Sequence, residues 1–156
     1  VLKTLAAERN DFHALLMGYP EAAYVRRAQQ LDLSGRVTFT GRIDYGEAVR
    51  YLALGDIAVA PKLSATEANG KLLNYLACGL PCVAFDTPVN RELLDHTGIY
   101  AAFGDAGEFA RRLAELLDAP SGLAQRSRQA RAHAIEHHSW SARVEVLEQV
   151  YARLRQ

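Results

Sequence analysis

The residues able to do chemistry concentrate in one stretch, Ser64-Ala-Thr66-Glu67-Ala-Asn69-Gly70-Lys71-Leu-Leu-Asn74-Tyr75-Leu-Ala-Cys78-Gly79. Read as a helix, Leu72, Leu73, Leu76 and Ala77 share an apolar side. Lys71, Asn74 and Cys78 lie three and four residues apart on another. Asn69-Gly70 places small, flexible backbone at the helix start. Free amides and the positive end of the helix dipole suit a phosphate there, and Lys71 adds a full positive charge. Glu67 can accept, and Asn74 can both donate and accept, hydrogen bonds with vicinal hydroxyls. A diphosphate flanked by two sugars needs that combination. Plainer readings apply to the same residues. Asn-Gly is a common turn, Thr66 or Asn69 can serve as an N-cap, and a lone lysine is usually solvated. Asn74 is the more pointed signal, because asparagine is a poor residue for a helix interior.

The elements that must position this stretch are short apolar runs alternating with helical patterns. Phe12 to Met17 reads as a buried strand stopped by Gly18, and Pro20 to Leu31 as a helix with proline in its first turn. Val37 to Thr40 is a second strand ended by Gly41. Asp44 can cap the helix that follows, to about Leu54. Ile57 to Ala60 is a third strand, closed by Pro61. The polar loop Lys62 to Asn69 then leads into a helix from about Gly70 to Cys78. Pro81 to Phe85 and Ile99 to Ala102 are a fourth and a weaker fifth strand. Near-continuously apolar strands separated by helices predict an α/β fold: a doubly wound parallel sheet covered on both faces. Three helices close the chain, Ala106 to Leu117, Ser121 to about His137, and Ser141 to Leu154. In such sheets ligands bind at the carboxyl ends of the strands. That points to Gly18-Tyr19, Gly41-Arg42 and the longest and most polar loop, Lys62 to Asn69.

Composition narrows the partners. The chain has 156 residues, 18 basic and 18 acidic, so no global charge favours nucleic acid or an anionic membrane. No run approaches the roughly 20 apolar residues of a membrane span. Val1-Leu2-Lys3-Thr4-Leu5 is not a signal-peptide start, and the absent initiator Met suggests a domain cut. Cys78 and Cys82 have neither redox nor zinc-pair spacing and read as buried, reduced thiols.

Three stretches together resemble the C-terminal domain of retaining GT-B glycosyltransferases of the glycogen-synthase-like, family 4 type. Phe39-Thr-Gly41 followed by Tyr51-Leu-Ala-Leu-Gly-Asp56-Ile-Ala-Val-Ala-Pro61 is similar to the family's F-x-G and L-Y-x-x-A-D-V-x-V-x-P run. Gly70-Lys71-Leu-Leu-Asn74-Tyr75-Leu-Ala-Cys-Gly79-Leu-Pro81-Cys-Val-Ala84, the most specific stretch, resembles K-L-x-E-Y-M-A-C-G-x-P-V-V-A. His138-Ser-Trp140, then Val150-Tyr151, is similar to the closing S-W and V-Y.

The resemblance implies a Rossmann-like half of a GT-B fold that binds a nucleotide-diphosphate sugar, UDP- or GDP-linked. It implies transfer of the sugar with retention, with no metal or other cofactor required. In the family an E-x7-E pair spans this loop and helix: the first Glu lies near the donor sugar and the second hydrogen-bonds the ribose. Loop amides hold the diphosphate. Asn74 falls where the second Glu is expected. Thr66 is the strict match to the first, but Glu67, one residue nearer, carries the chemistry and is the expected catalytic residue. Arg42, Thr66, Asn69, Gly70, Lys71 and Asn74 are the expected donor-binding residues, with Arg42 beside the base. The family's Arg/Lys pair and its acceptor-binding domain would precede Val1. A fragment lacking them should bind nucleotide weakly and not catalyse. A cytoplasmic location is implied, with a peripheral membrane contact as a further possibility, since many relatives use lipid-linked acceptors.

Other signals weigh less. Glu92 falls where the family has a Glu after Gly-Gly; with Thr87-Pro88-Val89-Asn90 in place of those glycines, it reads as the opening of a short helix. His133-Ala-Ile-Glu136-His137 matches an inverted zinc-protease pattern. A catalytic zinc needs a third protein ligand, and no metal is expected. His138 and Trp140 are expected to pack where the last helix crosses back. The arginines from Arg126 to Arg131 read as a solvated face. Two alternatives to the transferase are half of a GT-B nucleotide-sugar epimerase and a non-catalytic α/β nucleotide-binding module.

Overall fold

The computed structural model describes residues 1–18 and 22–155. Tyr19, Pro20 and Glu21, and with them the Gly18-Tyr19 loop and the expected proline-led helix start, lie outside the described residues. The chain opens with helix α1 (Leu2–Glu8), strand β1 (Ala14–Leu16) and helix α2 (Ala22–Gln30). A 3₁₀ turn leads into β2 (Val37–Phe39), followed by α3 (Ala48–Leu52) and β3 (Ala58–Ala60). Then come α4 (Lys71–Ala77), β4 (Cys82–Phe85), α5 (Pro88–Leu94) and β5 (Gly98–Ala101). The chain ends in α6 (Ala106–Asp118), α7 (Pro120–His133), a π-turn (Ala134–His138) and α8 (Trp140–Leu154).

Every described strand pair is parallel, as the apolar runs require. The hydrogen bonds divide the strands into two groups, β1-β2 and β3-β4-β5. Both lie in a chain whose strands alternate with helices, which is the expected α/β architecture. Alternation along β4 explains the double cover. Cys82 and Ala84 face one way with Ala58 and Ala60, against Leu72 and Leu76 of α4, Leu94 of α5 and Ala130 of α7. Val83 and Phe85 face the other way, against Phe109, Leu113 and Leu116 of α6 and Leu5 of α1. The side-chain period of two thus delivers one strand to two cores. Phe85 and Phe109 meet edge-on at 5.1 Å, a favoured aromatic geometry.

Helix ends correct several expectations. The helix near Glu92 starts at Pro88, and Thr87 caps it by accepting the Asn90 amide at 3.2 Å. Glu92 therefore lies inside α5. Asp44 precedes a 3₁₀ turn and makes no side-chain cap bond. Arg131, expected to be only solvated, donates from Nη1 to the Ala77 carbonyl and closes the end of α4. Trp140 does not pack: it is 89% exposed at the start of α8, which contributes no buried residue.

Candidate functional site

β3 ends at Ala60, and Pro61 turns the chain into the loop Lys62–Asn69, which feeds α4. The loop is organised by a few bonds. Lys62 Nζ lies 2.9 Å from Glu67 Oε2 and donates to the Ala68 carbonyl at 2.9 Å. The Glu67 amide donates to Ser64 Oγ at 3.2 Å. Thr66 and Glu67 are exposed. A surface pair of this kind contributes at most about 1 kcal/mol, so an arriving anion can replace the carboxylate on Lys62.

Asn69 is the loop's anchor. It is 4% exposed and donates from Nδ2 to Asn90 Oδ1 at 3.2 Å. Asn90 in turn donates to the Phe85 carbonyl at 2.8 Å. A buried amide chain therefore ties the loop before α4 to the end of β4 and the first turn of α5. Asn69 does not cap α4. Gly70 occupies that position, and no side chain caps the helix. The amino end of α4 is thus open toward the loop.

Lys71 is the first residue of α4. Partial burial lowers its pKa, and the charge of Lys62 lowers it further. The two ammonium groups are close enough to repel, which favours an anion between them. Below Lys71, Cys82 is a buried neutral thiol, its pKa pushed up to about 12 by desolvation. Asn74 is half-buried one turn on, and among the described residues its side-chain amide makes no hydrogen bond. Arg42 is exposed just after Gly41, at the carboxyl end of β2. The end of β2 meets that of β1, where the Gly18 amide donates to the Gly41 carbonyl at 3.0 Å.

Glu67, Asn69, Gly70, Lys71 and Asn74 therefore lie on one continuous loop and helix, with Thr66 in the same loop. Arg42 sits on the other strand group, with no hydrogen bond or ion pair to that loop among the described residues. The sequence reading missed two contributors. Lys62 was signalled only by standing directly after a strand-ending proline. Asn90 carried no signal, because its pairing with Asn69 is tertiary. A surface groove lined by Arg91, Tyr100, Glu108, Arg112 and Arg126 runs along the free edge of β5. Arg91 and Arg112 are already paired there, with Asp86 and Glu108, so the groove adds nothing to this site.

Residues 1–119 match the family Glycosyl transferases group 1. The chain belongs to that family. This glycosyl transferase domain is 30% identical, over 141 residues, to a GDP-mannose-dependent monoacylated alpha-(1-6)-phosphatidylinositol monomannoside mannosyltransferase of Corynebacterium glutamicum. That match covers 86% of the domain and 37% of the relative. The domain is also 32% identical over 140 residues to D-inositol 3-phosphate glycosyltransferase 2 of Catenulispora acidiphila, covering 87% of the chain and 32% of the relative. It thus spans about a third of the length of these curated relatives. In fold it is similar to Anabaena HepE solved with UDP, with a TM-score of 0.82 at 20% identity over 97% of this chain and 44% of that one. It is likewise similar to sucrose-phosphate synthase from Thermosynechococcus elongatus, with a TM-score of 0.80 at 23% identity over 98% and 41% of the two chains. The fold is that of one half of a GT-B glycosyltransferase.

Proposed function

We propose that this domain binds the nucleotide-diphosphate sugar donor of a glycosyltransferase and acts together with an acceptor-binding half. One observation carries the reading. An exposed loop bearing Glu67, backed by the cations Lys62 and Lys71, runs into the uncapped amino end of α4. In this reading the diphosphate lies over Gly70 and Lys71. Glu67 faces the sugar, with Thr66 beside it, and Asn74 holds a ribose hydroxyl. Arg42 approaches the base from the neighbouring strand end. Asn69 contributes by holding the loop, its side chain being committed to Asn90.

Transfer then requires departure of a nucleoside diphosphate. Preorganised cations and amides stabilise the charge that develops on it, with no metal in that role. The chemistry follows the family's retaining course. The two curated relatives act, by name, on GDP-mannose and on an inositol phosphate, and HepE is solved with UDP. These support GDP or UDP as the nucleotide. Placement at the inner face of a membrane, with a lipid-linked acceptor, is the corresponding cellular reading, and the phosphatidylinositol substrate named for one relative supports it.

The test is calorimetric titration of the chain with UDP, GDP and ADP, beside Asn74→Ala. Saturable binding of one nucleotide, weakened in the variant, is expected. Silence with all three nucleotides, both here and in a protein carrying the acceptor half, overturns the proposal in favour of a non-catalytic module. In this reading the isolated chain shows no sugar transfer, because transfer also needs the family's Arg/Lys pair and the acceptor-binding half.

A further inference from the structure

We propose that Asp95, His96 and His133 form a binding site for a single divalent cation of the zinc class, which fastens the C-terminal helices to the corner before β5. One ligand atom from each of the three residues lies within 4.8 Å of the others. Asp95 and His96 belong to a 3₁₀ turn between α5 and β5, and His133 ends α7. The cluster unites segments far apart in the chain, which is why the sequence pattern at His133 and His137 lacked a third ligand.

The hydrogen bonds assign the free lone pairs. His133 Nε2 lies 3.2 Å from the Leu93 carbonyl, which can only accept, so this nitrogen carries the proton. That leaves Nδ1 as a bare acceptor. His133 is 5% exposed, and Nδ1 is buried with no partner among the described residues. A buried polar atom left unpaired is costly unless something satisfies it. A backbone carbonyl holding one ring nitrogen while the other binds metal is the usual outer arrangement of a histidine ligand. His96 Nδ1 and Asp95 Oδ2 already lie side by side at 3.2 Å, the spacing of two ligands on one cation, which would replace the hydrogen bond between them. Asp95 and His96 are both exposed and can close by the small distance that coordination requires.

The π-turn supplies the remaining shape. It widens the helix after His133, so that His137 and His138 both approach the His133 ring, with centroids at 4.7 and 5.1 Å. His138 is already engaged: Nε2 meets the Leu93 carbonyl at 2.9 Å and Nδ1 meets Arg143 at 2.9 Å. His137, exposed and only loosely paired with Glu136 at 3.8 Å, is not among the three converging ligands, so the fourth position is left to solvent. Imidazole nitrogens with one carboxylate suit zinc. The cluster precedes β5 and so lies at the amino ends of the strands, opposite the donor loops. The cation would be structural and would take no part in sugar transfer.

The test uses tag-free protein titrated with zinc, followed by calorimetry and thermal unfolding, and with cobalt, followed by its visible spectrum. One zinc per chain, a raised unfolding temperature and the intense cobalt band of four-coordinate nitrogen and oxygen ligation are expected. His96→Gln, an exposed substitution that removes one of the three ligands, should abolish saturable zinc binding and the cobalt band. His13→Gln, remote from the cluster, should leave all three readouts unchanged. Absence of saturable binding, or binding that His96→Gln leaves intact, overturns the site.

Discussion

At the scale of single residues, the loop that enters α4 is held by a buried amide more than by its exposed ion pair. Asn69 and Asn90 exchange one hydrogen bond inside a region from which water is excluded. Asn69→Ala leaves Asn90 Oδ1 without its partner, which should cost about 1–3 kcal/mol. Denaturant unfolding of the variant checks this, and an unchanged midpoint would show that the loop is held by other bonds. Cysteine chemistry gives a second residue-scale prediction. Cys82 is buried with its pKa pushed up to about 12, while Cys78 is partly accessible. Alkylation of the native chain should label Cys78 alone, and mass spectrometry after unfolding should show both thiols labelled. The same raised pKa bears on stability. Below pH 9.0, the ordinary thiol value, both folded and unfolded chains keep the proton. Between pH 9.0 and about 12 the unfolded chain loses it first, so stability falls as pH rises. Tyr75 and Tyr100, each raised from 10.0 to about 12, add to the same decline. A denaturation midpoint that stays flat across that window would refute it.

At the scale of elements, α4 is a short helix held at its far end so that its near end can stay open. Gly79 has φ 69°, the Gly79 amide donates to the Leu76 carbonyl at 2.9 Å, and the Leu80 amide donates to the Tyr75 carbonyl at 2.9 Å. This pair of bonds is a Schellman closure, which needs a left-handed residue. A Cβ at Gly79 would also stand 3.0 Å from Ser127 Oγ and 3.2 Å from the Ser127 carbonyl, on α7. Gly79→Ala should therefore cost at least about 1–2 kcal/mol, measurable by thermal unfolding. The Cys-Gly step was visible in the sequence as the end of a helix. Its contact with α7 was not, because it joins residues on separate elements. The same holds for the start of α5. Thr87-Pro88 is a legible N-cap and first turn once the register is known, yet the family pattern drew attention to Glu92 instead.

At the scale of the whole molecule, the two cores differ sharply from the C-terminal helix in what they contribute. Phe109 is wholly buried between α6 and β4, and Phe109→Ala should cost about 3–5 kcal/mol. α8 buries no residue and exposes Trp140, Val144, Leu147 and Tyr151. A chain ending at Ser139 should keep nearly the same unfolding midpoint as the full chain. A large drop would mean that α8 stabilises the domain by contacts beyond its local turn. The fluorescence of Trp140, the single tryptophan, should be that of a solvated indole and quench freely with acrylamide.

By itself the sequence determined whatever depends on local order. Apolar runs broken by Gly and Pro set the five strands, helical spacing set α4, α6 and α8, and residue types at fixed spacing marked Lys71 and Asn74 as candidates on one helix. Those patterns act through backbone sterics and the periods of helix and strand, which neighbours along the chain settle. The tertiary structure alone decided which polar groups meet. It paired Asn69 with Asn90, set Arg131 over the end of α4, and placed Asp95 and His96 against His133. A hydrogen bond or a ligand set forms over a few ångströms in space, and separation along the chain carries no trace of that distance.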